Sequence, residues 1–241
     1  MKYLILSLAI AVSIPAAYAH GDGEDLSKVN GSVTAKAGQS YGEVSTVNGS
    51  ISIESKATAE EVETVNGEIT IDAGAQVGNV STVNGEIVLR NGVSARSVET
   101  VNGSIIGVSN IRVAQNVEAV NGSIEIGANS VITGNVENVN GQMKLLAMKV
   151  QGNVETVNGN VTIGENTIVS GHLKVSKPTG WGMNWGKPKL PRIVIGPNAQ
   201  VNGPMIFERE VELFVHSTAK INGKVTGATA KTYTDKVPDS K

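Results

Sequence analysis

The chain has 241 residues, of which 40% are apolar, 17% are charged and only 3% are aromatic, and it contains 28 Gly and no Cys. This length suits one large domain or two small ones, and the apolar fraction excludes a fully disordered chain. Without Cys there is no disulfide framework, no thiolate metal site and no cysteine nucleophile. Because large side chains are scarce, Val, Ile, Ala and small polar residues must fill the interior.

The first nineteen residues have the pattern of a secretory signal peptide. Lys2 precedes an apolar stretch over residues 3–14, which Pro15 and the small residues of Ala17-Tyr18-Ala19 follow. The stretch is too short for a comfortable membrane span, and a polar run comes directly after it. We therefore predict cleavage after Ala19 and export to the bacterial periplasm, the cell surface or the medium. Residues 20–28 are then an N-terminal polar cap.

The tripeptide Val-Asn-Gly recurs through most of the chain at spacings of 18 or 19 residues. Its asparagines are Asn30, Asn48, Asn66, Asn84, Asn102, Asn121, Asn140 and Asn158. Each unit continues into a short run that alternates polar and apolar residues, as a strand does. Such a unit cannot hold two helices, but it can hold the short strands of one solenoid coil. We predict an all-β fold, a single-stranded parallel β-helix (β-solenoid) with about 18 residues per coil and about ten coils.

Equivalent residues of successive coils would lie above one another at the ordinary strand spacing of about 4.8 Å. We expect three inward columns of apolar side chains. They are Val80, Val98, Val117, Val136 and Val154; Val83, Val101, Val120, Val139 and Val157; and Ile51, Ile69, Ile87, Ile105, Ile124, Met143 and Val161. Burial of one such side chain contributes about 1.5–3 kcal/mol, so the columns can stabilise a core without aromatic residues.

The repeated asparagines are expected to form a ladder. At a turn, Asn tolerates the left-handed conformation, and Gly follows it without steric cost. Stacked amides can also donate to one neighbour and accept from the other. Asn30, Asn48, Asn102 and Asn121 stand in glycosylation sequons, but we expect ladder side chains to be inaccessible, which disfavours glycosylation.

A second pattern, I-G-x-N-x-x-[IV]-x-G, begins at Ile126, Ile163 and Ile195, with a degenerate copy at Val215. These units resemble those of bactofilins, the polymer-forming β-helical proteins of bacteria, and of exported relatives. The V-x-x-V-N-G-x-I-x-I units resemble the repeats of adhesin families with short β-strand repeats. The resemblance implies a right-handed coil and end-to-end self-association. Bactofilins are cytosolic, so the signal peptide departs from that family and argues against a cytoskeletal role.

The solenoid is predicted over residues 29–175 and again over residues 193–227, with a polar C-terminal tail at 228–241. The interruption at 176–192, here called the Trp segment, holds both Trp, three Pro, four cations and no acid. Pro and Gly prevent a continuing strand, so the segment should leave the rod as a loop. Its candidate binding residues for an envelope glycan, an anionic lipid or a protein are Trp181, Trp185, Lys177, Lys187, Lys189 and Arg192. The alternative is that the Trp side chains only cover the rod.

Charge is divided along the chain. Residues 20–169 hold 8 Lys and Arg against 17 Asp and Glu, a net charge of −9, whereas residues 170–241 hold 11 against 5, a net charge of +6. An acidic body and a basic end favour head-to-tail contacts between molecules, although these can also be solvated faces. Export and overall acidity argue against nucleic-acid binding.

Enzymatic and ice-binding alternatives depend on two outward columns. Glu63, Glu99, Glu118, Glu137 and Glu155, here called the glutamate column, could serve a carbohydrate-active β-helix, although a solvated face has the same pattern. Thr46, Thr64, Thr82 and Thr100 are expected to form an outward run that suggests ice binding. His172 and His216 lie 44 residues apart, so we predict no metal site and no cofactor. We favour a non-catalytic structural or adhesive protein of the cell envelope.

Overall fold

The computed structural model describes residues 23–178 and 190–237. These residues contain no helix and form a parallel β-solenoid of about 11 turns, so the predicted fold is confirmed. The solenoid is slightly longer than the ten coils expected from the repeats. Its first strand begins at Glu24, inside the predicted cap, and its last strand lies at Ala230–Tyr233, inside the predicted tail.

The described residues contain 29 short strands. Eleven strands form one sheet: β2 (Val33–Ala35), β4 (Ile51–Ile53), β6 (Ile69–Ile71), β8 (Ile87–Leu89), β11 (Ile105–Gly107), β14 (Ile124–Ile126), β17 (Met143–Leu145), β20 (Val161–Ile163), β23 (Arg192–Ile195), β26 (Glu212–His216) and β29 (Ala230–Tyr233). The eighteen-stranded sheet holds β1 (Glu24–Asn30), β3 (Ser40–Asn48), β5 (Thr58–Asn66), β7 (Gln76–Asn84), β9 (Ser94–Ala95), β10 (Ser97–Asn102), β12 (Arg112–Val113), β13 (Val117–Asn121), β15 (Val131–Ile132), β16 (Val136–Asn140), β18 (Lys149–Val150), β19 (Val154–Thr156), β21 (Ile168–Val169), β22 (Leu173–Val175), β24 (Gln200–Val201), β25 (Met205–Phe207), β27 (Lys220–Ile221) and β28 (Val225–Thr226).

Each turn of the chain crosses both sheets and stacks on the turn before. The strand β4 leads through a corner into β5, and the Asn66-Gly67 turn leads back to β6. Parallel pairing places Ile51 beside Ile69, and Ile69 beside Ile87, so identical positions follow each other at the repeat length. The repeat therefore sets the register directly.

Two of the three predicted core columns are buried, and the third is not. The Val80 column and the Ile51 column are at most 1% exposed. The column of Val83, in contrast, is only half-buried. Side chains alternate along a strand, and in β5 Val62 and Thr64 are buried, whereas Glu63 and Val65 are not. The prediction that the Val83 column points inward was wrong, because the residue before each of these valines occupies the inward position: Thr82, Thr100, Ala119, Asn138 and Thr156.

The threonine run points into the core, so the predicted outward Thr surface was also wrong. Each hydroxyl donates to the carbonyl oxygen of the turn glycine one coil earlier, which satisfies both polar groups inside the rod. The distances are 3.1 Å for Thr46 to Gly31, 3.0 Å for Thr64 to Gly49, 3.3 Å for Thr82 to Gly67 and 3.3 Å for Thr100 to Gly85. A run that is buried in this way offers no ice-binding face.

Apart from glycines, the described residues with left-handed backbone lie at the corner after the eleven-stranded sheet and not in Val-Asn-Gly. Among the described residues, the non-Gly residues with positive φ all lie there, with φ between 48° and 61°: Lys56, Asn110, Asn129, Ala147, Asn166 and Asn198. The second sequence pattern therefore reflects this corner, where Asn tolerates the conformation best. The expected left-handed geometry of the ladder asparagines was wrong.

Glycine is required after the ladder asparagines from Asn48 through Asn158, because successive coils approach closely there. A Cβ atom on Gly67 or Gly85 would overlap the carbonyl oxygen of the turn glycine one coil earlier. No side chain fits in this position without a shift of the backbone. The Asn-Gly turn is therefore set by contact between coils.

The corner inside the larger sheet changes along the rod. The early strands β3, β5 and β7 run through it as nine-residue strands. In later coils, two separate strands replace each long strand. Val113 pairs with Ala95 and Val117 pairs with Val98, but Val113 and Val117 are four positions apart, whereas Ala95 and Val98 are three positions apart. This extra residue explains the change of the Asn spacing from 18 to 19 after Asn102.

The Trp segment follows β22 along the chain and ends at Arg192, the first residue of β23, and the coils resume after it. Val161 pairs with Ile193, which closes one coil across the insertion. The signal peptide and residues 179–189 lie outside the described residues. Residues 193–227 continue the same stack.

Candidate functional site

The eight asparagines of Val-Asn-Gly form one continuous ladder. The Nδ2 group of each donates to Oδ1 of the asparagine one coil earlier, at 2.9–3.1 Å, from Asn48 through Asn158. The side chains are exposed, although we expected them to be inaccessible. Accessibility therefore gives no argument against modification of these residues.

Backbone bonds support the same turn. In six of the eight ladder turns, from Gly31 through Gly122, the glycine amide donates to the carbonyl oxygen of the asparagine one coil later, as from Gly67 to Asn84 at 3.0 Å. This bond and the side-chain bonds tie these turns to their neighbouring coils. The ladder is consequently a structural seam along one edge of the rod.

A second asparagine seam was missed by the sequence analysis. The Oδ1 atom of Asn116 accepts from the backbone amide of Asn135, Asn135 accepts from Asn153, and Asn153 accepts from His172, at 2.9–3.0 Å. These residues lie at the corner that gains a residue in the later coils. Their regular spacing of 18 or 19 was the available signal, but no Gly follows them to mark a turn.

Arg209 ends the ladder at its C-terminal side. Pairing of Val154 with Leu173, and of Leu173 with Met205, places Arg209 at the ladder position two coils after Asn158. Its Nη1 atom donates to Asn158 Oδ1 at 2.6 Å and to the Val157 carbonyl oxygen at 3.2 Å. Lys177, near the start of the Trp segment, stands at the ladder position in the coil between them. Arg209 lies 51 residues from Asn158, so no local pattern predicts the contact.

The glutamate column lies on the outer face of the larger sheet. Glu99, Glu118, Glu137 and Glu155 occupy four adjacent coils, and Lys174 follows them, whereas Ser81 separates Glu63 from Glu99. Side-chain amides bind two of the carboxylates, from Asn116 to Glu118 at 3.0 Å and from Asn135 to Glu137 at 3.1 Å. His172 Nε2 lies 2.8 Å from Glu155 Oε1.

Partial burial changes the titration of this column. Desolvation, followed by repulsion from Glu61, raises the pKa of Glu63 to about 7, and Ser81 opposes this with a hydrogen bond at 3.2 Å. Desolvation and the charge of Glu118 also raise the pKa of Glu99 and of Glu137. Burial and repulsion from neighbouring carboxylates therefore favour the protonated form of Glu63, Glu99 and Glu137.

Two of the candidate binding residues of the Trp segment, Lys177 and Arg192, are within the described part of the chain. The exposed Lys177 donates its backbone amide to Glu208 Oε2 at 3.2 Å. Arg192 places its guanidinium 4.9 Å from the centre of the Phe214 ring. They stand at the two ends of the segment, after β22 and at the start of β23. Trp181, Trp185, Lys187 and Lys189 lie outside the described residues.

The two ends of the rod differ in charge. β1 is almost fully exposed and includes Glu24 and Asp25, whereas the last coil exposes Lys220, Lys224 and Lys231. Within the described chain, β1 pairs only with β3, and β29 pairs only with β26, so each has one open edge. His216 helps to hold β29, with Nε2 donating to the Thr234 carbonyl oxygen at 2.8 Å.

No protein-family model, curated protein or solved structure matches this chain. The resemblance to bactofilins and to adhesins with short repeats therefore rests on the repeat residues alone. In the described ranges, no helix is long and apolar enough to cross a bilayer. The same ranges hold no group of three or more His, Asp or Glu side chains that could bind a metal ion.

Proposed function

We propose that the protein is an exported, non-catalytic structural element of the bacterial cell envelope that associates end to end with further copies of itself. The observation that carries this proposal is the open strand edge at each end of the rod. An open edge has unpaired N–H and C=O groups and accepts another strand as its neighbour. A parallel solenoid repeats the same strand spacing at both ends, so the last coil of one copy can pair with the first coil of the next.

Charge supports the head-to-tail direction of this contact. Exposed Glu24 and Asp25 at the first strand would face exposed Lys220, Lys224 and Lys231 of a second copy. Opposite charges accelerate encounter and disfavour the head-to-head arrangement, where like charges would meet. The glutamate column on the side of the rod opposes lateral pairing through that face, because two such columns repel each other.

The association is tested by sedimentation of the protein without residues 1–19 at low and high salt. We expect assemblies that grow with protein concentration at low salt and shrink at high salt. The variant Lys220→Glu/Lys224→Glu/Lys231→Glu should remain monomeric. The control Lys56→Glu/Arg112→Glu/Lys149→Glu changes the same number of exposed cations along the rod and should assemble like the parent. A parent protein that is monomeric at every concentration and salt would overturn the proposal.

We further propose that the Trp segment attaches the rod to envelope material. The support is its composition, with two Trp and four cations, and its position as an insertion that interrupts neither the stack nor the register. Trp beside Lys suits a glycan, an anionic headgroup or a partner protein. In a pull-down experiment, peptidoglycan and outer-membrane fragments should bind the parent protein but not the variant Trp181→Ala/Trp185→Ala. Equal recovery of both proteins would refute the attachment role.

A second candidate function, which the glutamate column suggests, is an enzymatic activity on polysaccharides. This function requires that the protein hydrolyses or cleaves a carbohydrate and that one Glu→Gln substitution in the column abolishes the activity. Absence of turnover with envelope polysaccharides would leave the structural role as the better account.

A further inference from the structure

The chain contains an unusual number of Asn-Gly dipeptides, the sequence in which asparagine loses its amide most readily. Their asparagines are the eight of the ladder together with Asn91, Asn202 and Asn222. In this reaction the backbone nitrogen of the glycine attacks the side-chain carbonyl carbon of the asparagine. Glycine favours the attack because it has no Cβ to hinder the approach. The fold therefore decides which of these dipeptides can react.

Hydrogen bonds block the attacking nitrogen in most of the dipeptides. Gly31, Gly49, Gly67, Gly85, Gly103 and Gly122 donate to ladder asparagine carbonyls, Gly92 and Gly203 donate to other carbonyls, and Gly159 donates to Thr156 Oγ1. Each bond must break before the nitrogen can turn toward the side chain. Among the described residues, Gly141 and Gly223 are the two turn glycines whose amides have no such bond.

The side chains distinguish these two remaining positions. Asn140 is held at both amide atoms, because Nδ2 donates to Asn121 and Oδ1 accepts from Asn158, each at 2.9 Å. Asn222 is held in the described structure at Nδ2 only, by Asn202 at 2.8 Å. Its neighbour Ile221 in the last coil is only half-buried, so this coil opens more easily than the interior of the rod.

We propose that Asn222-Gly223 is the site of spontaneous deamidation in this protein, and that the ladder protects its own Asn-Gly dipeptides. The Gly223 nitrogen bonds to the Asn222 side-chain carbonyl carbon and gives up its proton, while the bond from that carbon to Nδ2 breaks and ammonia leaves. Water then opens the resulting cyclic imide to aspartate or isoaspartate. No enzyme, oxidant or metal is required.

The product changes the basic end of the rod. A new carboxylate appears between Lys220 and Lys224, and isoaspartate also lengthens the backbone at the connection from β27 to β28. If the proposed end-to-end association is correct, the modified end should bind a second copy more weakly. This consequence rests on the proposed function, whereas the modification itself does not.

Peptide mapping by mass spectrometry tests the site during incubation of the folded protein at mildly alkaline pH, with a urea-unfolded sample beside it. Before Asn66 can react, the Gly67 amide bond and the bond to Asn66 Oδ1 must break, and the Asn222 site has neither of these bonds. We therefore expect conversion at Asn222 to be at least about tenfold faster than at Asn66. In urea the two sites should react at similar rates. In urea, where contacts between coils play no part, Gly223→Ala should slow conversion at Asn222, and Gly92→Ala should not change it.

Two results would overturn the proposal. One is conversion at Asn66 as fast as at Asn222 in the folded protein. The other is an intact Asn222 in folded protein when the unfolded sample converts there. Both are read from the peptide map of a monomer, so they are independent of the sedimentation experiment that tests self-association.

Discussion

The early coils and the late coils of this rod use the same stacking in different ways. From β3 to β10 each coil has 18 residues, and every ladder asparagine bonds to the next. After Val175 the Trp segment replaces the ladder turn, and the coils become unequal in length. Arg209 then reaches back across the gap to Asn158. Regular coils thus need only their repeat, whereas irregular coils depend on contacts that are specific to one place.

Substitution of a turn glycine in the early coils should have the largest effect. In Gly67→Ala the added Cβ meets the backbone of Gly49, so either the coils separate or the turn distorts. We expect a loss of about 3–4 kcal/mol, as for other substitutions that force backbone shifts. Urea unfolding measures the change, with exposed Glu68→Ala as the control. Equal stability of the two variants would contradict the close approach between coils.

Two neighbouring valines of β7 provide the next test. Val80 is buried in the core and Val83 is half-buried on the outer side. Val80→Ala should cost about 2 kcal/mol and Val83→Ala less than about 1 kcal/mol, because only the first leaves an internal cavity. Unfolding midpoints compare the pair. A larger loss for Val83→Ala would restore the inward orientation that the sequence pattern first indicated.

Arg209→Met should affect the late coils more than the early ones. The variant keeps the aliphatic stem and removes the bonds to Asn158 and Val157, at a cost of about 1–2 kcal/mol. Hydrogen exchange should accelerate at the backbone amides of the coils around residues 158 and 205 but not near Asn48. Arg112→Met, at an exposed position, serves as the control. Uniform acceleration along the rod would show that the coils unfold as one unit.

The smallest expected effect is a pH dependence that arises in the early coils. The raised pKa of Glu63 means that the folded state binds a proton more tightly than the unfolded state. Its stabilising contribution is complete below the unfolded pKa of about 4.5 and is lost as pH rises through about 7. Glu63→Gln should therefore reduce the change of the melting temperature between pH 5 and pH 8 and raise the melting temperature at pH 8. Exposed Glu60→Gln should keep the slope of the parent.

Much of the architecture could be predicted because stacked coils turn a one-dimensional repeat into three-dimensional contacts. Asn48 and Asn66 meet because they stand one coil apart, and Ile51 and Ile69 meet for the same reason. The threonines were misplaced because period-two alternation has two possible phases. Val62 and Val65 are both apolar but stand three positions apart, so they cannot both face inward on one straight strand.

The repeat length alone determines which residues stack, since translation by one coil is a property of the sequence. The side of a strand that each residue faces depends on how the chain turns at its corners, and only the strand pairing shows that the extra residue of the longer coils lies between Val113 and Val117. The contact of Arg209 with Asn158 also exists only in three dimensions, because the Trp segment separates the two residues along the chain. The repeat specifies which residues of successive coils are neighbours. The direction of each side chain, and the contacts of the irregular coils around the Trp segment, result from steric fit and from satisfied hydrogen bonds.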